Sequence, residues 1–182
     1  MDMRIIKSRA ALKSALLELM KKKSITNISI KELCLKAGLN RSTFYANYAD
    51  IYALLSDVYL DIFNGISAFL DTSSLDSGNE SDRSDIRILT DILNYLKENQ
   101  NTFQLLLSNN DRNLFERHLT EYYLAKYLPE NADYKLRYEI LYHSIGSLTL
   151  IHLWFLDGCP CSSEELACII HRLTDNTARP SC

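Results

Sequence analysis

The sequence is poor in the two residues that most often interrupt helices. It holds 5 glycines and 3 prolines among 182 residues, so long helices can run without a break. It also lacks any uncharged stretch of about 20 residues, the length that a membrane-spanning helix needs. The longest uncharged run, residues 140–156, contains histidine, serine, threonine and tyrosine. We therefore expect this run to form a buried helix rather than a membrane span.

Several functional signals are also missing. Charged residues interrupt the apolar ones throughout the start of the chain, unlike the continuous apolar stretch of a secretory signal. Five cysteines without such a signal indicate reduced thiols and no disulfide framework. No spacing typical of a catalytic triad, a phosphate-binding loop or a metal hydrolase is present. We expect a cytoplasmic protein with no membrane partner, no cofactor, no bound metal and no enzymatic activity.

Charge is divided unevenly along the chain. Residues 1–48 contain ten basic and three acidic residues, a net charge of +7, whereas residues 49–182 carry −10. A basic segment joined to an acidic body indicates that the first segment alone meets a polyanion such as DNA.

The spacing of apolar residues predicts an all-α fold of about nine helices. No stretch shows the alternation of a strand, and residues 71–85, which are acidic and rich in serine, are predicted to be a mobile loop. The predicted helices cover residues 3–22, 29–37, a short third segment after Asn40, about 50–70, 86–99, 101–109, 111–127, 134–157 and 162–176.

Residues 29–48 show the pattern of two short helices joined by a tight turn. Ser29 and Asn40 are residue types that begin helices, and Gly38 stands where a helix end needs a left-handed residue. This pattern predicts a helix-turn-helix, whose second helix lies in the major groove of DNA. An ordinary helical hairpin within a core is the alternative, and the basic charge argues against it.

The second helix of this motif separates into two groups of side chains. Arg41 and Ser42 occupy its first turn, where an arginine can bind guanine and a serine can contact several bases. Donors suited to phosphate oxygens follow at Thr43, Tyr45 and Asn47. The apolar spacing predicts that Phe44, Tyr48 and Tyr52 face inward, with Leu33, Ala37 and Leu39 completing the packing.

The segment ITNISIKELCLKAGLNRSTFYANYADIYALL, residues 25–55, resembles the DNA-binding segment of the TetR (tetracycline repressor-like) family of bacterial regulators. The resemblance implies a dimeric repressor that binds a palindromic DNA site. It also implies that Lys31 approaches bases beside Arg41 and Ser42, and that Ser29 holds phosphate beside Thr43, Tyr45 and Asn47. The complete predicted DNA-binding set is Ser29, Lys31, Asn40, Arg41, Ser42, Thr43, Tyr45, Asn47 and Tyr48.

Three positions depart from the family pattern. Ser42 stands where a glycine or small residue is common, and Asn47 replaces the usual histidine while keeping a donor. Ile51 stands where the family has a lysine, which removes one expected phosphate contact. Each lost phosphate contact lowers the log–log salt slope of binding by about 0.9.

The segment YHSIGSLTLIHLWFLDGCPCSSEELACIIHRL, residues 142–173, resembles the last two helices of a Firmicute-type subset of the same family. The resemblance implies a four-helix dimer interface, and the predicted interface residues are Tyr142, Gly146, Leu150, Trp154, Leu166, Ile169, Ile170 and Leu173. The family's middle helices usually enclose a small-molecule pocket. The predicted lining residues, which could equally be ordinary core, are Tyr59, Phe63, Phe103, Leu107, Tyr122, Tyr123, Tyr142 and His143.

These observations predict a helix-turn-helix domain over residues 1–48, joined by a long helix to an effector-binding and dimerisation domain over residues 49–182. The expected partners are double-stranded DNA, a second copy of the chain and an unknown small molecule. A co-regulator that acts through protein contacts instead of DNA is the alternative.

Cys159 and Cys161, with Cys168 and His171, could hold a metal, sense thiol oxidation or simply form a turn.

Overall fold

The computed structural model describes residues 3–73, 81–108 and 112–175. All regular secondary structure in these ranges is helical, which confirms the predicted all-α fold. A short 3₁₀ turn, Ile25–Asn27, accompanies nine α-helices: α1 Met3–Met20, α2 Ile30–Ala37, α3 Arg41–Tyr45, α4 Ile51–Ser73, α5 Ser81–Glu98, α6 Gln100–Ser108, α7 Arg112–Tyr127, α8 Tyr134–Leu156 and α9 Ser163–Asp175.

The loop predicted over residues 71–85 is wrong at both ends. Helix α4 continues to Ser73, and α5 already begins at Ser81, while residues 74–80 lie outside the described residues. Serine and aspartate are poor helix formers in helix interiors, but they are favoured at helix N-termini, where they satisfy free N–H groups and face the positive end of the dipole. The polar composition therefore hid the first turn of α5.

Side-chain caps determine where several helices begin. The hydroxyl of Ser29 accepts a hydrogen bond from the N–H of Glu32, and the amide oxygen of Asn40 accepts one from the N–H of Thr43, so both predicted N-caps are confirmed. Ser162 and Glu165 form a reciprocal capping box at the start of α9, with N–H to side-chain oxygen distances of 2.8 and 3.1 Å.

The first of two compact units comprises Met1–Ile62 and Leu105–Phe115. Helix α1 packs on α2, and α2 packs on α3. The core of this unit contains side chains that are wholly buried, from α1, α2, α3 and the first part of α4: Leu12, Leu16, Leu33, Phe44, Leu54, Leu55 and Tyr59. Burial of each such large apolar side chain contributes about 1.5–3 kcal/mol.

The second unit comprises Phe63–Gln104 and Glu116–Cys182. Helix α9 packs mainly on α5, and α8 also packs on α9. Its core draws side chains from α4, α5, α6, α8 and α9, including Phe63, Leu93, Leu96, Phe103, Trp154, Phe155, Ala167 and Ile170. The ring of Tyr95 lies directly against Gly65 of α4, where any Cβ would collide with it.

Among the described helices, one stretch has the length and composition to cross a membrane, and it is residues 51–71 of α4. Its Asp57 and Asp61 both bind Lys13 of α1, and its apolar side chains include wholly buried core residues of the first unit. These contacts are those of a helix in a protein core. The uncharged run 140–156 lies in α8, where burial is confined to the C-terminal half of the helix.

Replacement of Gly38 tests the turn that joins α2 to α3. Gly38 adopts φ +67°, and a Cβ built on it would meet no atom within 4 Å, so only the backbone conformation opposes a side chain. We expect Gly38→Ala to lower the free energy of unfolding by about 1–2 kcal/mol, as measured by urea denaturation. Gly38→Asn is the matched control, and its free energy of unfolding should fall by less, because asparagine tolerates the left-handed conformation. Equal losses for the two variants would contradict this explanation.

Candidate nucleic-acid interface

The turn between α2 and α3 is closed by backbone hydrogen bonds around Gly38. The N–H of Leu39 donates to the carbonyl of Cys34 at 2.9 Å, and the N–H of Gly38 satisfies another carbonyl at the end of α2. Such bonds require a left-handed residue at the turn, which glycine supplies without steric cost. The chain then reverses direction in two residues, and Asn40 begins the next helix.

Asn40 organises the first turn of α3. Its side-chain oxygen accepts hydrogen bonds from the N–H of Thr43 at 2.8 Å and from the hydroxyls of Ser42 and Thr43, each at 2.7 Å. The cap therefore fixes the two side chains that follow Arg41. The Ser42 hydroxyl remains exposed and keeps lone pairs that can accept a further hydrogen bond.

Most residues of the predicted DNA-binding set are accessible in the first unit. Arg41 lies on the exposed surface of α3, and the ring of Tyr45 is 58% exposed and stands edge-on to Phe44 at 5.5 Å. Asn47 is half-buried, and its amide donates to the carbonyl of Thr43 at 2.8 Å. The exposed members of the set are Ser29, Lys31, Asn40, Arg41, Ser42 and Tyr45.

Tyr48 requires a correction. It was predicted both as an inward-facing residue and as a member of the DNA-binding set, and the structure places its side chain in the core with 6% exposure. Its hydroxyl donates to Asp57 at 2.6 Å. Burial, together with this bond and the negative charge of Asp57, raises the pKa of Tyr48. A buried and hydrogen-bonded hydroxyl is not available to a phosphate.

Two other predictions concerned the residues that follow α3. Tyr52 was expected to face inward, but it is exposed. The reason is that α3 ends at Tyr45 and α4 begins on a new axis at Ile51, so a spacing of four does not continue from Phe44 and Tyr48. Ile51 itself is buried. The residue that stands in place of a family lysine therefore contributes packing.

The basic charge of the first unit is only partly available at its surface. Lys21 and Lys23 pair with Glu18 and Glu32 respectively, and the hydrogen bond from Lys21, followed by its charge, lowers the pKa of Glu18. Lys13 forms an ion pair with Asp57 of α4. Exposed basic residues outside these pairs include Lys7, Lys22, Lys31, Lys36 and Arg41.

The predicted ligand-pocket residues belong to both units. Tyr59 and Leu107 are buried in the first unit, where Tyr59 stands edge-on to Phe115 at 5.2 Å. In the second unit Phe103 contacts Phe155 at 5.7 Å. Tyr142 is largely exposed and contacts His143 of the same helix. The remaining members, Phe63, Tyr122 and Tyr123, contact one another in the second unit.

We call Phe63, Tyr122, Tyr123 and Tyr127 the aromatic cluster. Its rings contact one another in succession at centroid distances of 5.4–5.6 Å. Burial raises the pKa of Tyr123, and the neighbouring tyrosines add to this effect. The cluster joins α4 to α7 through apolar and aromatic contacts.

Sequence reasoning missed the polar residues beside this cluster. The hydroxyl of Tyr122 donates to the side-chain oxygen of Asn64 at 2.9 Å and lies 2.8 Å from the hydroxyl of buried Ser67. Lys126 pairs with Asp71 at 2.6 Å. Along α4 the polar residues Asn64, Ser67 and Asp71 follow one another at intervals of three and four. This helical spacing of polar residues within an apolar helix was the signal from which a shared polar face could have been predicted.

The cysteines around the turn after α8 show no metal site. Within residues 3–73, 81–108 and 112–175, no group of three or more His, Cys, Asp or Glu side chains is placed to hold a metal ion, so the structure does not bring the residues named together as a metal site. Cys159 and Cys161 are half-buried, Cys168 is exposed, and all three are free thiols. Cys159 follows Gly158 with φ 58°, and the indole N–H of Trp154 donates to the Cys161 carbonyl at 3.0 Å. These are features of a tight turn.

The predicted dimer-interface residues divide between the surface and the core of the second unit. Tyr142, Gly146, Ile169 and Leu173 are exposed, and Leu150 is half-buried. Trp154, Leu166 and Ile170 are buried within the chain itself, and their assignment to an interface is corrected accordingly. They face inward because α9 packs on α5, with Lys97 of α5 lying over the Trp154 ring.

Comparison with known proteins agrees with this architecture. The TetR_C_8 family model, described as "Transcriptional regulator C-terminal region", matches residues 86–176. A curated relative, the uncharacterized HTH-type transcriptional regulator YxbF of Bacillus subtilis, is 35% identical over 63 residues, which are 35% of this chain and 17% of that protein. The match therefore spans much less than two thirds of this relative's length.

Solved structures show the same fold. A TetR transcriptional regulator from Streptococcus agalactiae superimposes with a TM-score of 0.62 at 19% identity, covering 94% of this chain and 95% of that one. A putative TetR-family regulator from Syntrophomonas wolfei superimposes with a TM-score of 0.63 at 14% identity, with 96% of each chain covered. The regulator FadR from Bacillus subtilis, solved in complex with stearoyl-CoA, superimposes with a TM-score of 0.58 at 13% identity. The superposition covers 91% of this chain and 96% of that one.

The matched region comprises half of the chain, and it includes most of α5 and all of α8 and α9, which contribute to the core of the second unit. The all-helical architecture agrees with the fold of these TetR-family structures. The chain therefore belongs to the TetR family of transcriptional regulators, whose members regulate transcription and are not enzymes.

Proposed function

We propose that this regulator is a cytoplasmic, ligand-responsive homodimer that binds a palindromic operator and represses transcription. DNA recognition is assigned to α3 of the first unit. The observation that carries this assignment is the exposure of Arg41 and Ser42 on the first turn of α3, a turn that the Asn40 cap fixes. A helix presented in this way can enter the major groove with its first turn at the base edges.

Exposed basic and hydroxyl groups around α3 support the same proposal. Lys31 and Ser29 lie at the start of α2, and Tyr45 presents its hydroxyl at the end of α3. Such groups hold phosphates on either side of the groove and set the position of the reading helix. The proposed contact set is the predicted one without Tyr48.

The exposed apolar face of α8 and α9 supports a dimer. Tyr134, Tyr138 and Tyr142 follow one another at intervals of four residues along α8, and each is more than 60% exposed. At the other end of α8, the side chains of Leu153 and Leu156 are also exposed. On α9, Ile169 and Leu173 are exposed. Large apolar patches on a soluble chain mark interaction surfaces, and a symmetrical pair would place two α3 helices about one DNA turn apart.

A small-molecule effector is proposed for the second unit. The aromatic cluster and its polar neighbours Asn64 and Ser67 combine apolar surface with a few hydrogen-bonding groups, which is the usual character of ligand sites. FadR from Bacillus subtilis, a protein of the same fold, is known with stearoyl-CoA bound. An effector that binds the two states of the dimer with different affinity would release the operator.

Arg41→Ala tests the recognition role of α3. Genomic fragments that the protein retains would first identify the operator, and fluorescence anisotropy would then measure affinity for it and for a scrambled duplex. Loss of a bidentate contact to guanine should weaken operator binding about 10- to 100-fold and leave binding to the scrambled duplex much less affected. Lys22→Ala is the matched control, because it removes the same charge from an exposed site distant from α3 in the chain.

Two results would contradict the proposed reading of DNA. Equal losses for Arg41→Ala and Lys22→Ala on both duplexes would mean that Arg41 acts only through its charge. Failure of the wild-type protein to retain any genomic DNA at low salt, with recovery of a partner protein instead, would identify the co-regulator alternative.

Leu173→Glu tests the proposed dimer face. Burying a carboxylate in an apolar interface is unfavourable, so the variant should dissociate at least about tenfold more readily than the wild type, as measured by analytical ultracentrifugation over a concentration series. Leu35→Glu places the same carboxylate on α2, where the leucine is 81% exposed, and it should remain dimeric. A monomeric wild type, or a Leu173→Glu variant as dimeric as its control, would show that this face is not the interface.

A further inference from the structure

Three elements of the first unit meet at one carboxylate. Asp57 of α4 accepts a hydrogen bond from the hydroxyl of Tyr48 at 2.6 Å, and the ammonium group of Lys13 lies 3.1 Å from the same oxygen. Lys13 also donates to the backbone carbonyl of Asp57 at 3.1 Å and to Asp61 at 2.7 Å. We call Lys13, Tyr48 and Asp57 the Asp57 junction, since it joins α1, the segment after α3, and α4.

The Asp57 junction is largely shielded from water. The side chains of Lys13 and Asp57 are 18% and 24% exposed, and the guanidinium group of Arg9 lies over the Tyr48 ring at 5.4 Å. Burial by itself would raise the pKa of Asp57, but hydrogen bonds from Tyr48 and Lys13 and the charges of Lys13 and Arg9 outweigh it and lower that pKa. The carboxylate is therefore ionised at neutral pH, and charge-assisted hydrogen bonds to it are strong and directional.

The orientation of α3 depends on contacts outside the helix. A five-residue helix is far too short to be stable alone. Phe44 anchors its middle in the core, and Tyr48 follows its last residue by three positions, with its N–H donating to the carbonyl of Phe44 at 2.9 Å. Burial of Phe44 is a non-directional contact that holds α3 in the core, whereas the hydrogen bond from Tyr48 to Asp57 is a directional contact between the segment after α3 and α4.

We propose that Asp57 is a positioning residue for DNA recognition, which acts through Tyr48 and Lys13 to fix the orientation of α3 on α4 and α1. This inference rests on the proposed DNA-binding function. Asp57 does not touch DNA. Its effect is on the direction in which Arg41 and Ser42 point from the first turn of α3, and hence on sequence discrimination more than on affinity for phosphates.

The side chain at position 48 allows a clean separation of packing from positioning. A phenylalanine there would fill the same buried volume and keep the ring contact with Phe44, whose centroid lies 6.1 Å away. Only the hydroxyl and its bond to Asp57 would be lost, while Lys13 would still neutralise the carboxylate. Tyr48→Phe therefore removes the directional link with little change in apolar burial.

The experiment compares Tyr48→Phe and Asp57→Asn with the control Asp61→Asn, which removes the more exposed of the two carboxylates that bind Lys13. Affinities for the operator and for a scrambled duplex are measured over a range of salt concentrations, together with thermal unfolding. For Tyr48→Phe and Asp57→Asn we expect the ratio of the two affinities to fall about five- to tenfold, with the salt slope unchanged because phosphate contacts persist. Asp61→Asn should keep the wild-type ratio.

A purely structural role gives a different result. In that case Tyr48→Phe and Asp57→Asn would lower the midpoint of thermal unfolding while the ratio of operator to scrambled affinity stayed at the wild-type value, and the proposal would be overturned. Tyr48→Phe keeps the test valid if Asp57→Asn does not fold.

Amide hydrogen exchange tests the inference without DNA. Loss of the link should speed exchange of the amides in residues 41–48 of Tyr48→Phe about tenfold, and leave the amides of α9 unchanged. Unaltered exchange in residues 41–48 would refute the positioning role even if the operator is found. Faster exchange there in Tyr48→Phe, together with a wild-type protein that prefers no DNA sequence, would instead refute the proposed function and retain the mechanical link.

Discussion

Burial of Phe44 is the interaction on which the recognition segment depends. Helix α3 has five residues, too few to form a stable helix in isolation, and Phe44 is its one wholly buried side chain. The ring enters a core formed by α1, α2 and the beginning of α4. Because that core holds the inner face, the outer face of α3 can consist of polar and charged groups such as Arg41, Ser42 and Tyr45 without loss of helical structure.

Local turn chemistry and tertiary packing cooperate at this point. Gly38 reverses the chain, and Asn40 caps the helix that follows, so the residues between α2 and α3 have little freedom. These two devices fix the local path, but they leave the rotation of α3 on the rest of the unit undetermined. Buried polar contacts, with Asp57 at their centre, supply that last constraint. Apolar packing is non-directional, and hydrogen bonds to a charge are directional.

The two units use aromatic residues differently. In the first unit Phe44, Tyr48 and Tyr59 are buried and hold helices together. In the second, the tyrosines of α7 pack in succession beside α4, whereas those on the first half of α8 stand exposed. The same residue type thus serves the core, the proposed ligand site and the proposed dimer face. Composition alone could not distinguish these uses, because each depends on what a neighbouring helix covers.

The sequence by itself determined the helical fold, the turn at Gly38 and the N-caps at Ser29 and Asn40, since these depend on residue periodicity and on backbone preferences that act within a few positions. The apolar spacing turned Tyr48 inward but did not identify its partner Asp57 or exclude it from the DNA contacts, and it could not place Trp154 or the start of α5. Tyr48 turns inward because Asp57, nine residues away on another helix, accepts its hydroxyl, and Trp154 is covered on its outer side by Lys97 of α5. Contacts between distant segments decide which face of a helix is covered, and no local pattern contains that information.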